Sequence, residues 1–198
     1  MLIYVSQRID AYSELGERRD ALDRIWHKLL GGLGCRVLPV PNDEAQVKLW
    51  LEASPPSGIL LSGGNTPTVY GGTAPERCIT DDTLLGFAIM NKIPIVGVCR
   101  GMQSVAIFFG GSLKKVDGHI RTRHELKGQI AKNVNSFHGY AIDILPEGFS
   151  VMASAEDGII EAIRHKSLPI AGIMWHPERE EVFCEADMKL LAGLFCKR

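Results

Sequence analysis

Gly97-Val98-Cys99-Arg100-Gly101 constrains this chain more than any other stretch. Ahead of it, Ile93-Pro94-Ile95-Val96-Gly97-Val98 is a continuous apolar run that suits a strand buried on both faces. Behind it, Met102-Gln103-Ser104-Val105-Ala106-Ile107-Phe108-Phe109 predicts a helix that Gly110-Gly111 stops. A strand, a sharp turn and a helix would hold residue 99 at a strand end, in strained backbone that the flanking glycines permit. A cysteine there sits at a helix N-terminus, where free amides and the macrodipole favour the thiolate, its nucleophilic form. A free cysteine is otherwise a small buried core residue. The two glycines and the strand before them favour the nucleophile.

Taken in order, the rest of the chain alternates strand and helix. Residues 1–5 read as a first strand, and 14–30 as a helix with Leu15, Leu22, Ile25, Trp26, Leu29 and Leu30 on one face. Gly31-Gly32 would end it. A strand over 35–40, a helix over 44–53 and a strand over 58–61 follow. Residues 65–80 read as a long surface loop, with Asp81 or Asp82 capping a helix over 83–91. This alternation predicts an α/β fold with a parallel, doubly wound sheet. Such sheets bind ligands beyond the carboxyl ends of their strands. Ser6-Gln7-Arg8, Ser62-Gly63-Gly64 and Cys99 should therefore meet at one edge. After residue 111 the pattern changes to short strand-like runs at 112–116, 134–145, 151–153, 159–164 and 170–175, some of them read as antiparallel additions. A helix near 180–196 closes the chain.

With 198 residues and 45% hydrophobic content, the expectation is one domain over 1–198 with a sizeable core. Twenty-two basic and twenty-three acidic side chains leave a net charge of −1, which argues against a general nucleic-acid or membrane partner. No apolar run approaches the roughly 18 residues of a membrane span. Met1-Leu2-Ile3-Tyr4-Val5 is too short for a signal-peptide core. Five scattered cysteines without Cys-x-x-Cys imply reduced thiols, a cytoplasmic location, no disulfide framework and no zinc site. A homodimer is one assembly the sequence leaves open.

A cysteine nucleophile needs a base, and the base needs orienting. Of histidines 27, 119, 124, 138, 165 and 176, His176 directly follows the apolar run Ile173-Met174-Trp175, so it too should emerge at a sheet edge. Glu178 stands two residues on, behind a proline, where its carboxylate could hold the imidazole. The bland alternative is an exposed His-Pro-Glu loop.

Cys99, His176 and Glu178 match, in order and local context, the Cys-His-Glu triad of the class I glutamine amidotransferase superfamily, which the chain resembles over most of 58–180. The resemblance implies a flavodoxin-like sheet and a small-molecule γ-glutamyl substrate, with no cofactor and no metal. It implies an oxyanion hole from the backbone N–H groups of Gly64 and Arg100, with Gly63 beside them. Gln103 would line the glutamine pocket, and Ser136, Phe137, His138, Gly139 and Tyr140 would receive the glutamyl end, His138 as a pocket residue rather than the base. Cys-Arg-Gly-Met-Gln at 99–103, Gly-Gly-Asn-Thr-Pro-Thr-Val-Tyr-Gly at 63–71, Gly-Gly-Ser-Leu at 110–113 and the run 154–162 look closer to the γ-glutamyl hydrolase branch, peptidase class C26. That branch includes γ-glutamyl-γ-aminobutyrate hydrolases. The short chain and its start look more like small hydrolases of capsule phosphoramidate synthesis, which cleave γ-glutamyl-CDP-amidate. The reaction so implied passes through a glutamyl thioester and releases glutamate.

Residues 114–124 hold Lys114, Lys115, His119, Arg121, Arg123 and His124 with only Asp117 opposing. Arginine forks match phosphate oxygens, so Arg121, Arg123 and Arg8 are candidate contacts to a phosphate-bearing leaving group. A solvated loop is the alternative. An ammonia-donating amidotransferase subunit and a non-catalytic binding relative are the competing functions.

Overall fold

A computed structural model describes residues 1–196; Lys197 and Arg198, included in the single-domain expectation, lie outside the described residues. From the N-terminus, β1 (Leu2–Ser6) leads into a hairpin of β2 (Arg8–Tyr12) and β3 (Glu17–Ala21). Then come α1 (Ile25–Gly31), β4 (Arg36–Val40), α2 (Glu44–Ala53), β5 (Gly58–Leu61) and a 3-10 turn at Thr68–Tyr70. Next are α3 (Pro75–Asn91), β6 (Ile95–Val98) and α4 (Arg100–Phe108). The second half holds β7 (Ser112–Lys115), β8 (Ile120–Gly128), β9 (Asn133–Phe137), β10 (Tyr140–Ile144) and β11 (Phe149–Ala155). It ends with β12 (Ile160–His165), β13 (Ile170–Ile173), a 3-10 turn at Pro177–Arg179 and α5 (Glu185–Phe195).

The main sheet has nine strands in the order β4-β1-β5-β6-β13-β12-β11-β8-β9. From β4 to β13 the neighbours run parallel, and from β13 to β9 they run antiparallel. Successive side chains on a strand point to opposite faces, and both faces are covered here. Ile3, Val5 and Leu60 pack with Trp26, Leu29 and Leu30 of α1 and with Leu191 and Phe195 of α5. Tyr4, Ile59 and Leu61 pack on the other side with Leu51 of α2, Leu84 of α3 and Met102 of α4. The doubly wound, mainly parallel sheet with antiparallel additions is the expected fold. Among the described residues no helix is long and apolar enough to cross a membrane.

Local readings fail in four places. The expected helix over 14–30 is helical only from Ile25; its first half is the β2–β3 hairpin, paired Arg8 to Ala21 through Tyr12 to Glu17. The turn needs Gly16 at φ +64, and Leu15, counted on the apolar face, is 63% exposed. Long-range polar contacts fix the strand: Arg18 Nε donates to Glu76 Oε1 at 2.8 Å, and Asn42 Nδ2 to Asp20 Oδ1 at 2.7 Å. The helix expected at 83 starts at Pro75, whose fixed φ suits a first turn, so Asp81 lies buried inside it rather than at its cap. The basic stretch after Asp117, for which no strand was expected, is largely β8, paired with β9 from Ile120–Phe137 to Glu125–Asn133. The closing helix begins at Glu185 rather than near 180.

The packing of α4 on β5 sets a first prediction. A Cβ on Gly101 would lie 2.0 Å from the Leu61 carbonyl oxygen, whereas one on Gly86 in α3 would meet nothing within 4 Å. Helix propensity alone favours alanine at both sites by about 1 kcal/mol. Gly101→Ala should nonetheless lower the thermal midpoint by about 4–8 °C, and Gly86→Ala should raise it by about 1–4 °C, read by calorimetry.

Candidate active site

Cys99 stands between β6 and α4 with φ +52 and ψ −105, a conformation non-glycine residues rarely hold. Such strain costs on the order of 1–3 kcal/mol and persists only where packing enforces it. Packing does so here. A Cβ on Gly97 would lie 2.5 Å from Gly101, so the chain entering the turn and the chain leaving it touch backbone to backbone. The Cys99 N–H donates to the Ile173 carbonyl at 2.7 Å, which ties the turn to β13. Cys99 is 7% exposed.

His176 reaches the same edge from β13. Asn135 of β9 holds its backbone from both sides: Oδ1 accepts from His176 N–H at 2.9 Å, and Nδ2 donates to the His176 carbonyl at 2.8 Å. Pro177 opens the 3-10 turn that brings Glu178 back, and His176 Nδ1 lies 2.6 Å from Glu178 Oε1. Both residues are buried. The ring stands edge-on to Phe137 at 5.7 Å between centroids. Gly63 leaves no spare room on another side, because a Cβ there would sit 2.6 Å from His176 Cε1.

Burial by itself would lower the imidazole pKa. The Cys99 side chain and the Glu178 carboxylate outweigh it and hold His176 at about 9, an imidazolium at neutral pH. His176 Nε2 has no partner within full hydrogen-bond geometry, so the sulfur acts on it from close by without a formed bond. Loose contacts of this kind commonly tighten only when substrate binds.

Gly64, Cys99, Arg100, Gln103, Phe137, His138, Gly139, Tyr140 and His176 line one cleft of about 230 Å³. Arg8, Gly63, Gly64, His176 and Glu178 line an adjoining one of about 280 Å³. Gln103 Nε2 donates to the Tyr140 carbonyl at 3.0 Å, joining α4 to β10. Ser136 is fully buried, and its hydroxyl donates to the His119 carbonyl at 2.8 Å. Two of the three arginines read as leaving-group contacts line neither cleft. Arg121 is exposed, in left-handed backbone at φ +56. Arg123 lines a separate cleft and pairs with Glu180 at 3.1 Å. Arg8 alone borders His176, and it pairs with Asp10 at 2.5 Å.

Sequence reading missed the group that shapes the Gly63-Gly64 loop. Arg77, fully buried in α3, donates Nη2 to the Ser62 carbonyl at 2.5 Å and Nη1 to the Gly63 and Gly64 carbonyls, each at 2.9 Å. In a planar trans peptide the N–H opposes the C=O. Engaging the Gly63 carbonyl therefore turns the Gly64 N–H away from Arg77, and that N–H has no acceptor among the described residues. Arg100 supplies the other candidate donor through a first-turn N–H that has no intrahelical partner. Its side chain turns inward, toward Asp81 at 3.5 Å and Cys78 Sγ at 3.2 Å. Burial and the Arg100 charge lower the Arg77 pKa to about 10, which still leaves it cationic at neutral pH. The signal in the sequence was Arg77-x-x-x-Asp81, two opposite charges one helical turn apart across the end of a segment read as loop.

The family model "Glutamine amidotransferase class-I" matches residues 19–191, and the chain belongs to that family. It is 33% identical over 188 residues to a γ-glutamyl-CDP-amidate hydrolase of Campylobacter jejuni, with 91% of each chain covered. It is 34% identical over 150 residues to a carbamoyl phosphate synthase small chain of Clostridium perfringens, covering 73% of this chain and 40% of that one. A glutamine amidotransferase crystal structure from Thermotoga maritima shares the fold at a TM-score of 0.67 and 14% identity, covering 89% of this chain and 76% of that one.

Because Cys99 supplies the leading upward push on His176, its removal should let burial reassert itself. Imidazole resonances followed by NMR should titrate near pH 9 in the native protein. In Cys99→Ala the pKa should fall, with Glu178 still in place. An unchanged value would show that the sulfur and the ring do not communicate.

Proposed function

We propose that this chain is a cysteine hydrolase of the γ-glutamyl hydrolase branch, peptidase class C26, which cleaves a γ-glutamyl C–N bond. The observation that carries the reading is that Cys99 and His176 line one cleft, with the buried Glu178 carboxylate 2.6 Å behind the imidazole. The Cys99 thiolate attacks the γ-carbonyl carbon, and the Gly64 and Arg100 N–H groups receive the oxyanion. The imidazolium of His176 gives its proton to the departing nitrogen as the C–N bond breaks, leaving a glutamyl thioester. His176 then takes a proton from water as it attacks, which releases glutamate and regenerates the thiolate. Glu178 fixes the ring and balances its charge. Gln103 and the 136–140 segment hold the glutamyl end.

The substrate we propose is a γ-glutamyl nucleotide phosphoramidate, γ-glutamyl-CDP-amidate, in cytoplasmic capsule polysaccharide synthesis. Near full-length similarity to the Campylobacter enzyme supports it. So does Arg8, a guanidinium in the cleft next to His176 where a phosphate-bearing leaving group would lie. Similarity to a carbamoyl phosphate synthase small chain favours a second reading, an ammonia-donating glutaminase subunit.

A panel of glutamine, γ-glutamyl-γ-aminobutyrate and γ-glutamyl-CDP-amidate, compared by kcat/KM on the isolated protein, separates these readings. The phosphoramidate should lead, and Cys99→Ala should cut kcat by about 10⁴-fold or more. Glutaminase activity that appears only with a partner chain would support the subunit instead.

Arg8→Ala should raise KM for the phosphoramidate about tenfold and leave glutamine cleavage within twofold, since a lost charge-assisted contact is worth about 1.5–3 kcal/mol. Arg121→Ala and Arg123→Ala should change KM for either substrate less than Arg8→Ala does. Equal losses on both substrates in Arg8→Ala would remove phosphate recognition from this arginine.

A further inference from the structure

Behind the substrate cleft, three histidine rings crowd two carboxylates. His119 precedes β8, His124 lies within it, His138 joins β9 to β10, and Asp157 and Glu161 flank the start of β12. The His119 ring lies 4.1 Å from that of His124 and 4.7 Å from that of His138, between centroids. None of these groups takes part in the chemistry at Cys99 except His138, which lines that cleft.

The cluster holds several polar atoms that do not satisfy one another. Asp157 is 53% exposed, and its Oδ2 lies 2.8 Å from His119 Nε2. On the other side of the ring His119 Nδ1 faces Glu161 Oε1 at 3.3 Å without hydrogen-bond geometry. His119 Nδ1 has no hydrogen-bond partner, nor has His124 Nε2, nor has Oε2 of the fully buried Glu161. Burying such groups unpaired is costly, and a cation between them removes the cost.

We infer that His119, His124 and Glu161 form a site for one divalent transition-metal ion of the zinc class, with Asp157 orienting His119 from behind. Their ligand atoms lie within 4.8 Å of one another. Bond lengths of about 2.0–2.1 Å require about 3.4 Å between tetrahedral ligands, so His124 closes inward when the ion enters. Two imidazoles and one carboxylate suit zinc rather than magnesium or calcium, and water completes the shell. The Asp157–His119 contact is the carboxylate–histidine pairing that fixes tautomer and ring angle at zinc centres. A cleft of about 270 Å³ bordered by His124 and Asp157 gives an entry path. The cysteine spacing held no sign of this site, because its ligands are histidines five residues apart and a glutamate 37 residues beyond the second.

The site also touches the substrate pocket. His138 stands between Glu161 and that pocket, with Nε2 3.1 Å from Glu161 Oε1 and Nδ1 3.1 Å from the Tyr140 carbonyl. An ion on Glu161 is therefore one imidazole ring away from the 136–140 segment. The inference concerns binding alone and stands whether or not the reaction proposed above is the right one.

The test uses metal-free, full-length Cys99→Ala protein, in which the cleft cysteine cannot capture the ion. Titration with Zn²⁺ by calorimetry should show one equivalent binding at micromolar or tighter affinity, with a rise in the thermal midpoint. Co²⁺ should give the visible absorption bands of a four-coordinate nitrogen–oxygen site. Adding Asp157→Asn, an exposed change that leaves the core intact, should weaken Zn²⁺ about 10–100-fold. Adding His124→Gln should abolish stoichiometric binding and the midpoint shift. Absence of stoichiometric binding in the Cys99→Ala protein would overturn the inference. Binding that Asp157→Asn leaves unchanged would overturn it equally.

Discussion

Where α4 begins, its backbone lies against that of β5, with room for no carbon on Gly101 beside the Leu61 carbonyl and none on Gly97 beside Gly101. Everything at the candidate site follows from that approach. The turn between strand and helix can be this tight only because two residues lack side chains, and the residue between them is then forced to positive φ. The same closeness brings the end of β5, and the Gly63-Gly64 loop that continues it, alongside Cys99. Hydrophobic packing on both sides of the sheet supplies the force that holds the strained turn shut.

A second constraint is electrostatic and wholly internal. Arg77, Asp81, Arg100 and Ser104 form a buried set in which Ser104 Oγ donates to Asp81 Oδ2 at 2.6 Å and both arginines lie within 4 Å of the same carboxylate oxygen. Buried ion pairs contribute little net stability, because desolvation offsets their attraction. Their effect here is directional. Three carbonyls in a row point at one guanidinium, which fixes the peptide planes of a glycine-rich loop that would otherwise be free to rotate. Asn135 does the same for His176 through paired backbone contacts. Each side of the cleft is thus held by one polar side chain.

The parallel core was legible in the sequence because β1, β5, β6 and β13 are short, continuous apolar runs, and such runs have few alternatives. Cys99, His176 and Glu178 were legible because each follows one of those runs at a fixed offset. What escaped was written in long-range polar contacts. The β2–β3 hairpin carries a helix-like charge pattern, and only Glu76, Thr73 and Asn42, far along the chain, hold Arg18 and Asp20 in a strand. Arg77 lay in a segment whose glycines, prolines and threonines suggested loop. The basic run after residue 114 looked like one patch, but the register of β8 shifts at Arg121, in left-handed backbone at φ +56, and this break in the alternation lets His119 and His124, five residues apart, turn inward together while Arg123 reaches Glu180.

That hairpin has a further consequence. It belongs to no layer of the main sheet, and it is fastened by Ile9, whose backbone N–H and carbonyl both bond the Asn65 side chain, together with the Arg18 and Asp20 contacts. Yet its first residue, Arg8, forms one wall of the space beside His176. In the proposed reaction the wall facing the departing group is therefore an appendage, whereas the wall facing the glutamyl group is part of the core. A lineage could exchange the first for another loop, and with it the size and charge of the departing molecule, while the strained turn and its imidazole stayed untouched.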